Sequence, residues 1–549
     1  MFENLFQKLK RRDAPAQMVQ DIPIAERFLT LPPNLGNGLP RQGAKVLIRR
    51  FDYAGLSLEL KEPLWDAASA VKEPAWRAAL FGFVWLDDLA AHGGPVAANK
   101  ARAMVIEWMN WTAKHSNYND QDQDIWRADI RAQRIGRLLR RATFLFSFAP
   151  PPELRGKLLN HLSKESAYLI HDSQLTQQGA GLDPIRKTRS KIGAVLAAMC
   201  LDGHQQAMAG LLKELESQLD QILLADGMVA SRSPRDQVGI AFDLVGLKLA
   251  FDHARHAVPA FVQLAIKRMI PVLRMLRHGD GGLALFHGSR EGRKDVIDAA
   301  IVRANVLEKA PKLLPQGGFA RLQAKQLCVL MDIGKPPEAR LRSNFHASPL
   351  AIEVSHDANR ILTNCGEIRM NNQAWQQAMK STAAHSALTL AERNAIDLEH
   401  KDEHKNIAFQ LEHERTDGND GAIWFTAWHD GYKQKIGAIV TRKLYLSANG
   451  NELLGEERIS ETRAPIGFSL RFHLHPDVEV GFYGKSKVPL LKTKSGASWW
   501  LRIEGGTLAL NDSVYLGGDA HVVPTKQLTL EGKTSDQQTI INWVLESAD

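Results

Sequence analysis

The chain is short of cysteine, of long apolar runs and of any secretory leader, and each shortage narrows the reading. Only three cysteines occur in 549 residues, Cys200, Cys328 and Cys365, and none stands in a CxxC spacing. That argues against a disulfide framework and against a structural zinc knuckle. No apolar stretch approaches the ~18 residues that a membrane-spanning helix requires. The opening MFENLFQKLKRRDAP follows its short apolar start with Lys8, Lys10, Arg11 and Arg12, so it does not read as a signal peptide, and the cytoplasm is the expected compartment. The glycine-rich stretch RHGDGGLALFHGS at Arg277–Ser289 lacks the GxxxxGK[ST] order of a phosphate-binding loop. No aromatic-basic motif accompanies the positive charge, so nucleic acid is not an expected partner.

What is present is a globular composition, 44% hydrophobic and 24% charged, in a chain long enough for two or three domains. The formal charge of +8 is modest for this length. It permits an anionic polymer as partner without requiring one.

Two periodicities divide the chain. From about Ala67 to Ala310, segments such as WRAALFGFVWLDDLA, ARAMVIEWMNWTAKH and IWRADIRAQRIGRLLRRATFLFSF repeat apolar residues every three to four positions, as helices do. Short Gly/Pro/Asp connectors join them, and no strict sequence repeat is visible, which favours an (α/α) toroid over a solenoid. After about Gln316, segments such as AIWFTAWHDGY, AIVTRKLYLSANGNELLGEERI and SWWLRIEGGTLALND alternate and are rich in β-branched and aromatic residues. SANGNE at Ser447–Glu452 holds an Asn-Gly hairpin signal. The expected fold class is therefore α+β: an extension over 1–66, a helical toroid over 67–312 and an antiparallel β-sandwich over 313–549.

Three strand-like segments at the start of the second half carry polar points: FHASPLAIEV at Phe345–Val354, NCG at Asn364–Gly366 and STAAHSALTL at Ser381–Leu390. This arrangement resembles the C-terminal sandwich of the heparinase II/III family, bacterial lyases that cleave uronic-acid-containing polysaccharides by β-elimination. The resemblance implies an acidic polysaccharide as partner and a Tyr or His base that removes the C5 proton once the uronate carboxylate is neutralised. It implies a divalent metal, zinc, in the sandwich, and it adds the periplasm or cell envelope as an alternative location.

Carried over residue by residue, the resemblance meets substitutions. The family's DG loop stands at Asp226–Gly227, but where the tyrosine would follow, this chain has Ser233-Pro-Arg-Asp236. A carboxylate is a weaker base than a phenolate by about 6 pKa units, and a first-turn helix acid is the competing role for Asp236. The family's H-x-H pair falls on Asn344-Phe345-His346, which puts an amide where the first histidine acts. An amide cannot take a proton at neutral pH. The metal positions fall on His346, Asn364 and His385, and each histidine is equally readable as a hydrogen-bonding core residue. The catalytic candidates are thus His385, Asp236 and Asn344. The candidates for gripping a uronate are Arg186, Arg189 and Arg232, because the arginine fork fits a carboxylate. A catalytically impaired, glycan-binding or envelope-assembly protein of the same fold is the alternative function.

Other features have two readings each. Arg134, Arg137 and Arg141 share one helical face, either to hold anions or to pair with acids such as Asp122, Asp124 and Asp129. His473 and His475 share a strand face at i, i+2, a spacing that permits metal binding and otherwise reads as a solvent-exposed face. Trp428 and Tyr432 flank a supposed hairpin turn and suit either sugar stacking or a sandwich corner.

Overall fold

The computed structural model of the chain describes residues 23–115, 123–175, 183–368, 371–398, 407–462, 465–485, 487–518, 521–535 and 538–548. The opening segment with its Lys8–Arg12 cluster lies outside these residues, as do Asp122 and the side chain of Asp124. The fold class is α+β, an (α/α) toroid followed by an antiparallel β-sandwich. No helix among the described residues is long and apolar enough to cross a membrane.

Compactness parts the chain into two units that are not consecutive in sequence: Met1–Gln221 with Phe242–Gln263, and Ile222–Ala241 with Leu264–Asp549. The change from helix to strand near residue 312 is a change of periodicity, whereas the compact units part within two helices. Pro234–His253 leaves the second unit at Ala241, and Ala260–Met275 re-enters it at Leu264.

Among the described residues the first unit is helical apart from a small hairpin, Arg50–Tyr53 with Leu56–Glu59. Its helix starts follow local chemistry. Pro184 opens Pro184–Cys200 with its φ preset for a helix, and the preceding Asp183 caps it by accepting from the Ile185 N–H at 2.8 Å. The core is aromatic: Trp65, Phe81, Phe83, Trp85 and Trp108 are fully buried, with Trp65 and Trp108 edge to face at 4.9 Å. The Arg134 face is part of this core. Arg134 is fully buried, stacks on Trp108 at 4.8 Å and pairs with Glu165 at 2.5 Å. Arg137 and Arg141 close on Asp87 at 2.8 and 2.7 Å. This face is therefore neither a solvated stripe nor a site for anions.

The second unit carries two open antiparallel sheets. One has eight strands in the order Glu479–Tyr483, Val488–Lys492, Ser498–Glu504, Gln538–Ser547, Glu452–Ser460, Ala438–Leu446, Ile423–Tyr432 and Leu411–Asp417. The other runs Thr507–Tyr515, Val523–Lys533, Gly467–Leu474, Asn359–Thr363, Ile352–His356, Leu327–Asp332, Phe319–Ala324 and Leu313–Leu314, with Leu388–Leu390 pairing Gly467–Leu474. Alternation sets the inward row: Ala438, Val440, Arg442, Leu444 and Leu446 are all buried on one strand. The arginine in that row is tolerated because Glu457 meets it at 2.6 Å and the Leu350 carbonyl accepts from it at 2.6 Å.

Two local expectations change. WHDGY is no turn: the strand Ile423–Tyr432 runs through it, with an irregular register between His429 and Tyr432. Tyr432 is buried with its hydroxyl on the carbonyls of Leu388 and Arg393, so it has no free face for a sugar. His473 is buried too, held by Ser513 at 2.7 Å and the Ala383 carbonyl at 3.0 Å, rather than exposed.

Candidate functional site

The residues singled out from the sequence in the sandwich unit converge around one strand end and one helix start. Leu327–Asp332 is buried along its whole length, so its last residue, Asp332, carries a carboxylate into the core. Arg232 answers it. This arginine has φ of +60°, a left-handed conformation that a residue with a Cβ adopts only when its surroundings enforce it. Its guanidinium bonds to Asp332, to the carbonyls of Gly317 and Gly318 at 2.9 Å each and to that of Lys335 at 3.2 Å. It also stacks on Phe319 and Phe345 at 5.2 and 5.7 Å. A Cβ on Gly334 would stand 2.2 Å from that guanidinium, so only glycine admits it there. Burial pushes the Asp332 carboxyl up, but Arg232 and His287 beside it outweigh this and hold it well below the usual carboxylate range. Arg232 is 2% exposed. The expectation that it grips a substrate carboxylate is corrected: its fork is committed inside the unit.

A chain of imidazoles follows. His385 Nδ1 lies 2.7 Å from the Ser381 carbonyl and must donate to it, which leaves Nε2 as an acceptor. His346 Nε2 accepts the Gly288 N–H at 3.0 Å, so its Nδ1 carries the proton and donates to His385 Nε2 at 3.2 Å. His287 Nδ1 accepts the His346 N–H at 3.2 Å. Its Nε2 stands 3.2 Å from Asp332 Oδ2, off the line of a good hydrogen bond. Each ring is thereby fixed as one neutral tautomer. Burial depresses all three, His385 to about 4 and His346 further, with His385 beside it adding to the effect.

The metal positions can be judged from this geometry. Two ligand nitrogens on one tetrahedral zinc lie ~3.3 Å apart, so the 3.2 Å between His346 Nδ1 and His385 Nε2 suits either an ion or the hydrogen bond. Asn364 decides against the ion. Its amide oxygen accepts the Ser386 N–H at 3.0 Å and its amide nitrogen donates to Glu353 at 3.0 Å, so neither points to the imidazole pair as a third ligand. Among the described residues no three His, Cys, Asp or Glu side chains are placed to share an ion. The residues present do not fit a zinc site of the family's kind.

Asp236 and Asn344 meet in a half-buried polar cluster. Asp236, in the first turn of Pro234–His253, accepts from Ser231 Oγ at 2.8 Å and from Asn344 Nδ2 at 3.2 Å. Arg235 pairs with Glu367 at 2.5 Å and lies 3.9 Å from Asp236. Lys380 donates to the Ser343 carbonyl at 2.8 Å. Two cations thus stand against two carboxylates.

The helical unit holds the other candidates. Arg189 pairs with Asp243 at 2.7 Å, and Arg186 is exposed. Sequence reasoning missed Asp332, Glu353 and the Arg235–Glu367 pair. The first had a signal: an acid ending a wholly apolar strand needs a buried partner. Glu353 accepts from His278 at 2.8 Å, from the Leu285 N–H and from Asn364, a set drawn from distant segments that no local pattern announces.

Residues 307–544 match the family described as "Heparinase II/III-like, C-terminal". The fold is heparinase II/III-like. A crystal structure of heparinase III superposes with a TM-score of 0.71 at 12% identity, over 99% of this chain and 91% of that one. A mutant of the heparan sulfate lyase HepC from Pedobacter heparinus gives 0.61 at 15% identity, over 97% and 87%. At these identities the superpositions show a shared fold alone. FtsZ-localized protein C of Caulobacter vibrioides is 28% identical over 484 residues, 84% of this chain and 80% of that protein.

Proposed function

We propose that this chain keeps the polysaccharide-lyase fold without its elimination chemistry and serves as an envelope-assembly protein, acting where FtsZ collects. The observation that carries the reading is the Asp236–Asn344 contact. β-Elimination needs a strong base at the C5 proton and a group left free to neutralise the uronate carboxylate. At these two positions the chain has a carboxylate already accepting two hydrogen bonds and an amide already donating to it. Beside them Arg235 is held by Glu367 and Asp236 while Lys380 is spent on the Ser343 carbonyl, so two cations face two carboxylates and the cluster carries no net positive charge to draw a uronate in. His346 and His385 cannot substitute as bases, because each lone pair is directed at a donor within the fold.

The fold itself favours the second reading, a lyase acting on a uronic-acid-containing polysaccharide with Asp236 as base. The two are separated by incubating the purified chain with heparan sulfate, chondroitin sulfate, alginate and polygalacturonate and following absorbance of the unsaturated product. The expected result is a flat trace with every polymer, together with a fluorescent fusion that accumulates at the FtsZ ring. Product that disappears in Asp236→Ala would establish the lyase instead.

A further inference from the structure

The helical unit contains a cavity of about 1160 Å³ that none of the family's catalytic positions touches. We infer that this cavity is the docking site for an acidic peptide segment of a partner protein, one that carries aromatic or aliphatic side chains between its carboxylates. The inference concerns the helical unit alone and stands whether or not the sandwich unit turns over a polysaccharide.

Two features of the walls define the occupant. The floor is apolar, with Phe251 and Met199 buried at its base and Phe28 and Phe146 beside them, tilted at 6.1 Å. The charged lining is of one sign: Arg140, Arg155 and Arg255 line the cavity, and no Asp or Glu does. Arg155 and Arg255 are exposed, and among the described residues neither guanidinium has a hydrogen-bond or ion-pair partner.

Arg140 is the more telling residue. It belongs to the helix Ala128–Arg140, whose other arginines are all matched. The acids within reach of it are occupied: Asp87 by Arg137 and Arg141, and Asp243 by Arg189. Arg140 itself has no ion pair or hydrogen bond among the described residues. Burial pulls its pKa down, and the nearby Asp87 and Asp243, each already paired with other arginines, offset this only in part. A carboxylate entering the cavity would give this half-buried guanidinium the direct ion pair that no described residue supplies.

The recession of the apolar surface favours a peptide over a lipid surface. Membrane-binding faces project apolar tips beyond a basic collar. Here Arg155 and Arg255 are exposed while Phe251 and Met199 are buried and Phe28 and Phe146 half-buried, Leu29 being the one large apolar side chain of the lining that is exposed, so most of the apolar wall is reached by a side chain coming in from outside. The volume also exceeds the ~300–1,000 Å³ usual for a small-molecule site.

The test screens a random dodecapeptide display library against the full chain and measures a recovered peptide by fluorescence anisotropy. The expected sequences are rich in Asp and Glu with interspersed Phe, Leu or Ile. Binding should weaken at least tenfold in the double variant R155E/R255E, which alters exposed residues only and should keep the parent's melting temperature, and also in R140M. Recovered peptides without acidic bias, or equal binding by parent and R155E/R255E, would overturn the inference. So would an empty screen alongside arginine-dependent sedimentation with phosphatidylglycerol vesicles, which would assign the cavity to a membrane surface.

Discussion

The role of an arginine depends on what its backbone and neighbours permit. Arg232 reads in sequence as a loop cation after a DG turn, and the chemistry of its fork suggests a carboxylate ligand. The carboxylate it finds is Asp332, inside the protein. No pattern around position 232 reveals this, because the partner lies 100 residues on. Arg232→Ala should therefore destabilise the chain by about 3–5 kcal/mol, the cost of leaving a buried charge unpaired. Urea unfolding measures this, and an unchanged midpoint would contradict the burial assigned here. The histidines make a second prediction. His385 titrates near 4 in the fold against about 6.5 unfolded. Between those values the unfolded chain binds more protons, so stability rises with pH across this window and is lost on acidification from 7 to 4. The share of His385 is roughly 3 kcal/mol by pH 4, and His161, His429 and His473 act in the same direction. His385→Gln should flatten that slope, and an unaltered slope in the variant would show that His385 takes up its proton as readily in the fold as in the unfolded chain. A third residue-scale outcome follows from Asn364. Protein equilibrated with zinc and desalted should retain no stoichiometric metal by elemental analysis, whereas one zinc per chain would mean that Asn364 turns its oxygen to the imidazole pair.

At the scale of elements the sequence is more legible. Alternation in AIVTRKLYL identifies both the strand and its inward row, and the Asn-Gly signal marks the hairpin at Ser447–Glu452, where Gly450 has φ of +73°. The helix Ala128–Arg140 was readable from spacing. What spacing does not convey is which polar residues of an element turn inward, as Arg134 and Arg442 do, since a period fixes a face but not the partner waiting there. WHDGY was misread because Asp-Gly usually breaks a strand; here it sits at an irregularity that the flanking strands bridge. Strand pairing yields a prediction of its own. Gly455 pairs with Trp543, and a Cβ at position 455 would fall 1.9 Å from the indole ring. Gly455→Ala should cost about 1–3 kcal/mol through overpacking, and a thermal midpoint equal to the parent's would show that the indole can move aside.

For the whole molecule, the change of periodicity marked a helical half and a β half, the resemblance carried by a few polar points implied the heparinase II/III-like fold, and the fold comparisons agree. The chemistry was harder to read, because the fold sets where a site would lie while single side chains decide what it does. Two of those, Asp236 and Asn344, are occupied with each other. The most direct test of the claim that elimination chemistry is gone looks at its first step. Oligosaccharides of heparan sulfate, alginate and polygalacturonate are incubated with the protein in D₂O, and loss of the C5–H signal is followed by NMR. A base able to start the reaction exchanges that proton even when the later bond cleavage is slow. The account predicts exchange no faster than in buffer alone for every oligosaccharide. Exchange with any of them that vanishes in Asp236→Ala would contradict it.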